Sequence, residues 1–206
     1  MASVVGVDND ELLSTTRSVR LKLDLERPVE PEVINDCLRL ALQAPSPGNL
    51  QMWRWIVVRD ANKRAELGRL FREAGNEYLA SLPGDIPEHS LRSGRFLIDN
   101  IERVPVFVIP CVLGRPPATV FESSAFWGGI YPAVWSLQLA LRTRGLGSTM
   151  TTYHLTREAE AREILGIPED VTQTCLLPIA YTTQTTFKPA QRRPLSEVAY
   201  TDRWDG

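Results

Sequence analysis

The chain has 206 residues, with 23 lysines and arginines against 25 aspartates and glutamates, 43% apolar residues, two histidines and three cysteines. That is the length of one domain, or of one domain with an elaborate extension, and it is enough to bury a sizeable core. A formal charge of −2 excludes the broad basic footprint of sequence-independent nucleic-acid binding. His89 and His154 stand far apart and no CxxC or HxxxH spacing occurs, which argues against a metal site.

The opening MASVVGVDNDELL lacks a basic stretch followed by a long apolar run, so no secretory leader is expected. Cys37, Cys111 and Cys175 each sit in apolar surroundings and read as reduced core thiols, which fits a cytoplasmic protein. Pro31 suits the first turn of a helix, and Val33, Cys37, Leu38 and Ala41 recur at helical spacing until Ala44-Pro45 stops it. The loop SPGNLQ follows, then a buried strand over Trp53–Val58, rich in β-branched and aromatic residues. Asn62–Leu82 carries Leu67, Leu70, Phe71, Ala74, Tyr78 and Leu79 on one helical face and ends at Pro83-Gly84.

Ser90–Val104 reads as another amphipathic helix and Val106–Leu113 as an almost continuous apolar strand. Phe126–Arg144 is apolar nearly all round and therefore central, with Pro132 either kinking it or marking its true start. The uncharged run between Glu122 and Arg142 is long enough to span a bilayer, but its glycines, serines, Pro132 and Gln138 fit a helix buried in a soluble core better. Gly145-Leu146-Gly147 ends that helix. Ser148–Tyr153 is expected to be extended, Thr156–Leu165 helical with Gly166 as its stop, and Val171–Ala180 a strand. Residues 182–206 are polar with little periodicity. Strands alternating with helices imply a layered α/β or α+β fold.

Common catalytic signatures are missing. Met150 stands where a third glycine would complete GxGxxG, that stretch follows a helix pattern, and GxxxxGK[ST] does not occur. Both histidines read as solvated loop residues, with His89 in a polar turn and His154 ahead of a helix start.

Three polar segments remain. Thr15-Thr16-Arg17-Ser18-Val19-Arg20 offers two guanidiniums suited to phosphate or a delocalised anion. Ala44-Pro45-Ser46-Pro47-Gly48-Asn49-Leu50-Gln51 can present backbone N–H groups and amides to a planar heterocycle. Gly145-Leu146-Gly147-Ser148 permits close backbone approach, and the late Arg192-Arg193 supplies charge. Each has a plain alternative: solvated charge near a chain end, a helix–strand connection, a helix stop, and a charged tail.

Their order and spacing resemble the nitroreductase family of FMN-dependent oxidoreductases along nearly the whole chain. The family's RRSxR segment is matched by Thr16-Arg17-Ser18-Val19-Arg20, and its APSxxNxQ loop by Ala44 to Gln51 leading into Trp53. Its long helix ending in GLGS is matched by Ala133 to Ser148, its LGIP turn by Leu165 to Pro168, and its closing R-x-P-L element by Arg192 to Leu195 with Trp204 beyond. Thr16 replaces the family's frequent first arginine, and Met52 its usual proline. The stretch 68–124 matches least.

The resemblance implies an α+β, three-layer fold over a single domain, 1–206, with a central mixed, mainly antiparallel sheet flanked by helices. Residues 68–124 would shape the substrate entrance, and residues 182–206 would form an arm exchanged in a homodimer with FMN at the subunit interface. Arg17, Ser18, Arg20, Arg192 and Arg193 would then hold the phosphate, ribityl chain and pyrimidine edge. Ser46, Asn49 and Gln51 would approach the ring from the other subunit, and Gly147 and Ser148 would lie beside the backbone lining it. NADPH or NADH would reduce FMN in a ping-pong cycle with a nitroaromatic or quinone, and Arg20 would stabilise the reduced, anionic cofactor. No side-chain acid or base and no metal is then needed. A flavin-sequestering protein, a specialised member that fragments flavin or removes halogen, and a non-flavin interaction domain are the alternatives.

Overall fold

A computed structural model describes residues 8–83 and 86–204. The helices are α1 (Asn9–Thr15), α2 (Pro31–Ala41), α3 (Ala61–Ser81), α4 (Glu88–Asn100), α5 (Val120–Gly128), α6 (Tyr131–Arg142) and α7 (Glu158–Leu165). The strands are β1 (Trp53–Val58), β2 (Val106–Leu113), β3 (Leu146–Ser148), β4 (Val171–Gln173) and β5 (Leu177–Tyr181). They form one sheet in the order β1-β2-β5-β3, with β4 also paired to β2. Every pairing between these strands is antiparallel; β1 meets β2 from Trp53 opposite Val112 to Val58 opposite Phe107.

The sheet lies between two helical layers because its central strand alternates. On β2, Val106, Val108 and Val112 pack with Ile34 and Cys37 of α2 and with Val134 and Leu137 of α6. Phe107, Ile109 and Cys111 point the other way, against Leu67, Leu70 and Phe71 of α3, Leu97 and Ile98 of α4, and Ala161 of α7. A strand with apolar residues on both faces can be covered on both, which is why this stretch reads as a continuous apolar run. The resulting architecture is the expected α+β one with a mainly antiparallel sheet. No described helix is long and apolar enough to cross a membrane.

Several expectations need correction. The central helix over Phe126–Arg144 is two helices: α5 ends at Gly128, and α6 restarts with Pro132 in its first turn, where a missing N–H costs nothing. Ser90–Val104 begins earlier, at Glu88, and its end tightens into a 3₁₀ turn over Ile101–Arg103, so His89 lies on α4 and not in a turn. The strand expected over Val171–Ala180 is interrupted between β4 and β5, where the Thr174 N–H and hydroxyl both donate to the Pro110 carbonyl, at 3.0 and 2.9 Å. The extended stretch Ser148–Tyr153 gives way at Tyr153 to a 3₁₀ turn, Tyr153–Arg157, leading into α7, where Gly166 takes a left-handed φ of 66° as the stop. Helix α1 was not anticipated. Gly84, expected to end α3 together with Pro83, lies outside the described residues, as do residues 1–7.

The three cysteines are buried thiols as expected, and burial raises them, Cys37 to about 11 and Cys111 and Cys175 to about 12. His154 is the opposite of a solvated loop residue. It is fully buried, and neither ring nitrogen has a hydrogen-bond partner.

Candidate functional site

The chain from Arg17 to Asp24 lies along the β3 and β5 edge of the sheet. The Val19 N–H donates to the Ser148 carbonyl at 2.9 Å, and the Asp24 N–H donates to the Tyr181 carbonyl at 2.7 Å. In the same antiparallel bridge, between Leu23 and Thr182, the Thr183 N–H donates to the Lys22 carbonyl at 2.9 Å. Gly147 makes this approach possible: a Cβ there would lie 2.7 Å from Thr182 Cγ2 and 2.9 Å from Val19 Cβ. Gly147, expected beside the backbone that lines a cofactor, thus seats the segment that carries the arginines. Ser148 likewise turns inward, its buried Oγ accepting from Gln138 Nε2 of α6 at 3.1 Å.

With Val19 buried against the sheet, Arg17, Ser18 and Arg20 face a cleft of about 560 Å³ whose other walls include Lys22, Ser93 of α4, Phe187 and Lys188. Arg17 Nη1 donates to the Lys188 carbonyl at 3.0 Å, and Arg142 holds the segment 185–187 by donating to the Thr185 carbonyl at 3.1 Å and stacking on Phe187 at 4.8 Å. Arg20 is half-buried, and loss of water pushes its guanidinium below the usual arginine range. Burial raises the Tyr153 phenol, with Tyr78 adding to the effect and Arg20 opposing it, so this phenol and the Arg20 guanidinium sit within electrostatic reach of each other. The Tyr153 ring rests between Phe71 and Tyr78 at centroid distances of 5.0 and 5.4 Å. Sequence reasoning missed Tyr153, Ser93, Lys22 and Lys188, because the only sign of them is convergence in space.

Thr16 plays no part in the cleft. Its hydroxyl and its N–H both donate to the Leu12 carbonyl, at 2.6 and 3.1 Å, and close the end of α1.

Ser46, Asn49 and Gln51 come together elsewhere. Gln51 N–H donates to Ser46 Oγ at 3.3 Å and Gln51 Nε2 donates to Asn49 Oδ1 at 3.1 Å. The backbone is left-handed at Gly48 (φ 57°), Asn49 (φ 53°) and Gln51 (φ 50°), a conformation that costs a glutamine on the order of 1–2 kcal/mol. Beside this loop lies an apolar cavity of about 250 Å³ lined by Leu50, Met52, Trp53, Phe121 and Phe126. Trp53 begins β1, and β1 and β3 are the two ends of the strand order. One chain thus places the amide loop and the arginine cleft on opposite edges of its sheet.

Arg192 and Arg193 line neither cavity. They are exposed on the terminal arm, where Arg192 Nη1 donates to the Gln191 carbonyl at 3.1 Å. The arm also displays Leu195 and Trp204, 75% and 84% exposed, and near the amide loop Phe121 is 86% exposed. Among the described residues, no cluster of three or more His, Cys, Asp or Glu side chains could hold a metal.

Comparisons with known proteins span most of the chain. The model described as "Nitroreductase family" matches residues 13–181. The chain is 26% identical over 190 residues to an iodotyrosine deiodinase of Thermotoga neapolitana, covering 91% of this chain and 94% of that one. It is 30% identical over 179 residues to an NADH dehydrogenase of Thermus thermophilus, covering 83% and 85%. Among solved structures, oxidized iodotyrosine deiodinase bound to FMN and 3-iodo-L-tyrosine superimposes with a TM-score of 0.73 at 20% identity, over 95% of this chain and 99% of that one.

Proposed function

The chain belongs to the nitroreductase family of flavin oxidoreductases, and we propose that it transfers electrons from NADPH or NADH, through FMN, to an electron-poor acceptor such as a nitroaromatic or a quinone. FMN, when bound, supplies the hydride-accepting chemistry that no side chain of this protein offers. The observation that carries the proposal is the cleft in which Arg17, Ser18 and Arg20 converge against the Gly147–Ser148 strand. Its donor set suits a phosphomonoester and the polar edge of a flavin: Arg17 at the exposed rim for the phosphate, and Arg20 deeper, where a poorly solvated cation stabilises negative charge strongly.

Ser46, Asn49 and Gln51 reach a cleft of this kind only from a second copy of the chain, since within one copy they occupy the opposite sheet edge. A homodimer with two shared sites supplies that arrangement. The exposed Leu195, Trp204 and Phe121 are the apolar surface such a dimer covers, and the arm that carries Arg192 and Arg193 would bring them to the partner's cleft. Residues 68–124, which include α4 with Ser93 on the cleft wall, would shape the entrance for the acceptor.

Steady-state turnover with each nicotinamide nucleotide against quinones, nitroaromatics and enones tests the proposal; absence of turnover with every pair, in protein that holds FMN, refutes it. The likeness to an iodotyrosine deiodinase over nearly the whole chain favours one second reading, reductive removal of halogen from an aromatic substrate. Halide release from a halotyrosine under a chemical reductant, without NAD(P)H oxidation, would select that reading.

A further inference from the structure

The arginine cleft carries more positive charge than one phosphate needs. Four cations line it, Arg17, Arg20, Lys22 and Lys188, and no carboxylate does. None of the four takes part in an ion pair among the described residues. Like charges gathered on a concave wall repel one another, so their persistence without partners points to an anionic ligand. A phosphomonoester carries about −1.5 to −2 at neutral pH, less than the four cations together supply.

The two lysines are placed to meet a second anion. Lys22 follows Arg20 by two residues in a turn of the cleft wall, and Lys188 lies on a separate segment of that wall, its carbonyl tied to the Arg17 guanidinium at 3.0 Å. Both lysines are exposed at the mouth while Arg20 lies deeper. A cofactor in the cleft is thus framed by the arginines, and whatever arrives over it passes the lysines.

We propose that Lys22 and Lys188 recognise the 2′-phosphate of the incoming nucleotide, so that the protein selects NADPH over NADH. This inference rests on the proposed FMN-dependent, NAD(P)H-using activity and adds to it the identity of the electron donor. The ammonium groups act as point charges on flexible stems, which suits a phosphate that docks and leaves in each cycle better than a permanent bidentate clamp does. The contribution is electrostatic and weakens as salt rises.

The test uses FMN-loaded protein with adenosine 2′,5′-bisphosphate as probe and 5′-AMP as control, followed by calorimetry, together with kcat/KM for both nucleotides. The bisphosphate is expected to bind and 5′-AMP to bind at least about tenfold more weakly. In the Lys22→Ala/Lys188→Ala variant the NADPH to NADH ratio of kcat/KM is expected to fall about tenfold, together with affinity for the bisphosphate. Equal affinity for the two probes, or a ratio unchanged in the variant, overturns the inference while leaving the flavin activity intact. A variant that loses FMN with its nucleotide ratio unchanged also overturns it, by assigning the lysines to the cofactor phosphate. Reduction by neither nucleotide counts against the proposed activity itself and is distinguishable from all of these.

Discussion

Val19 and Ser148 are joined backbone to backbone, N–H to carbonyl at 2.9 Å, and this bond ties the segment that carries Arg17, Ser18 and Arg20 to the sheet. Val19 is buried in the core while Arg17, Ser18 and Arg20 line the cleft beside it. Gly147 is the residue that lets the two segments approach so closely. Gly147→Ala is expected to push Val19 and Thr182 away, lowering stability by about 1–3 kcal/mol and weakening FMN binding with it. Thermal denaturation and flavin titration check both; a variant with unchanged FMN affinity would separate the segment from the site.

Arg20→Ala removes the deepest cation of the cleft. The fold is expected to survive, because Arg20 makes no ion pair among the described residues and only part of its stem is buried. FMN affinity is expected to fall about tenfold or more, the worth of a charge-assisted contact of about 1.5 kcal/mol or above. Arg20→Lys should recover part of it, since charge returns without the planar fork. Fluorescence titration of apoprotein with FMN gives the three constants, and equality among them would remove Arg20 from the site.

The proposed shared site of a homodimer can be tested by mixing two inactive proteins. Arg20→Ala spoils the cleft and Gln51→Ala the amide loop, and each homodimer then has two damaged sites. After unfolding and refolding together, a mixed dimer carries one site with both changes and one with neither. Random assortment predicts recovery of about a quarter of the unmodified activity. No recovery, with mixed dimers demonstrated by mass, would place both residues on the same chain's site.

His154 makes stability depend on pH. Burial holds its imidazole at about 4, down from 6.5, and nearby Glu158 only partly offsets this. The unfolded chain therefore binds a proton that the folded chain refuses, and stability present above pH 6.5 is lost progressively as pH falls toward 4. At pH 5 the loss is expected to be about 2 kcal/mol, from 1.36 kcal/mol per unit. Urea denaturation from pH 7 to 5 measures it, and His154→Leu should flatten that slope.

Much of the scaffold was legible in the sequence wherever a single period was uninterrupted. Trp53–Val58 and Val106–Leu113 appear with the expected bounds because both are unbroken runs bounded by turn or charged residues. Trouble came where tertiary contacts overrode a run, as at Thr174, whose N–H and hydroxyl both go to Pro110 and break the ladder between β4 and β5. Helix α1 is short and mostly polar, yet Asp8 followed by Glu11 is a capping-box spacing that could have revealed it. At the site, the chemistry of Arg17, Ser18 and Arg20 was readable from residue type and order. The contributions of Lys22, Ser93, Tyr153 and Lys188 were not, since they come from four separate stretches that only folding brings into the cleft or within reach of Arg20.

The visible absorption spectrum of the purified protein, recorded before and after anaerobic addition of NADPH, tests the central claim most directly. The expected result is a yellow protein carrying about one FMN per chain, released on denaturation and bleached by the nucleotide. A colourless protein that also fails to take up added FMN would contradict it.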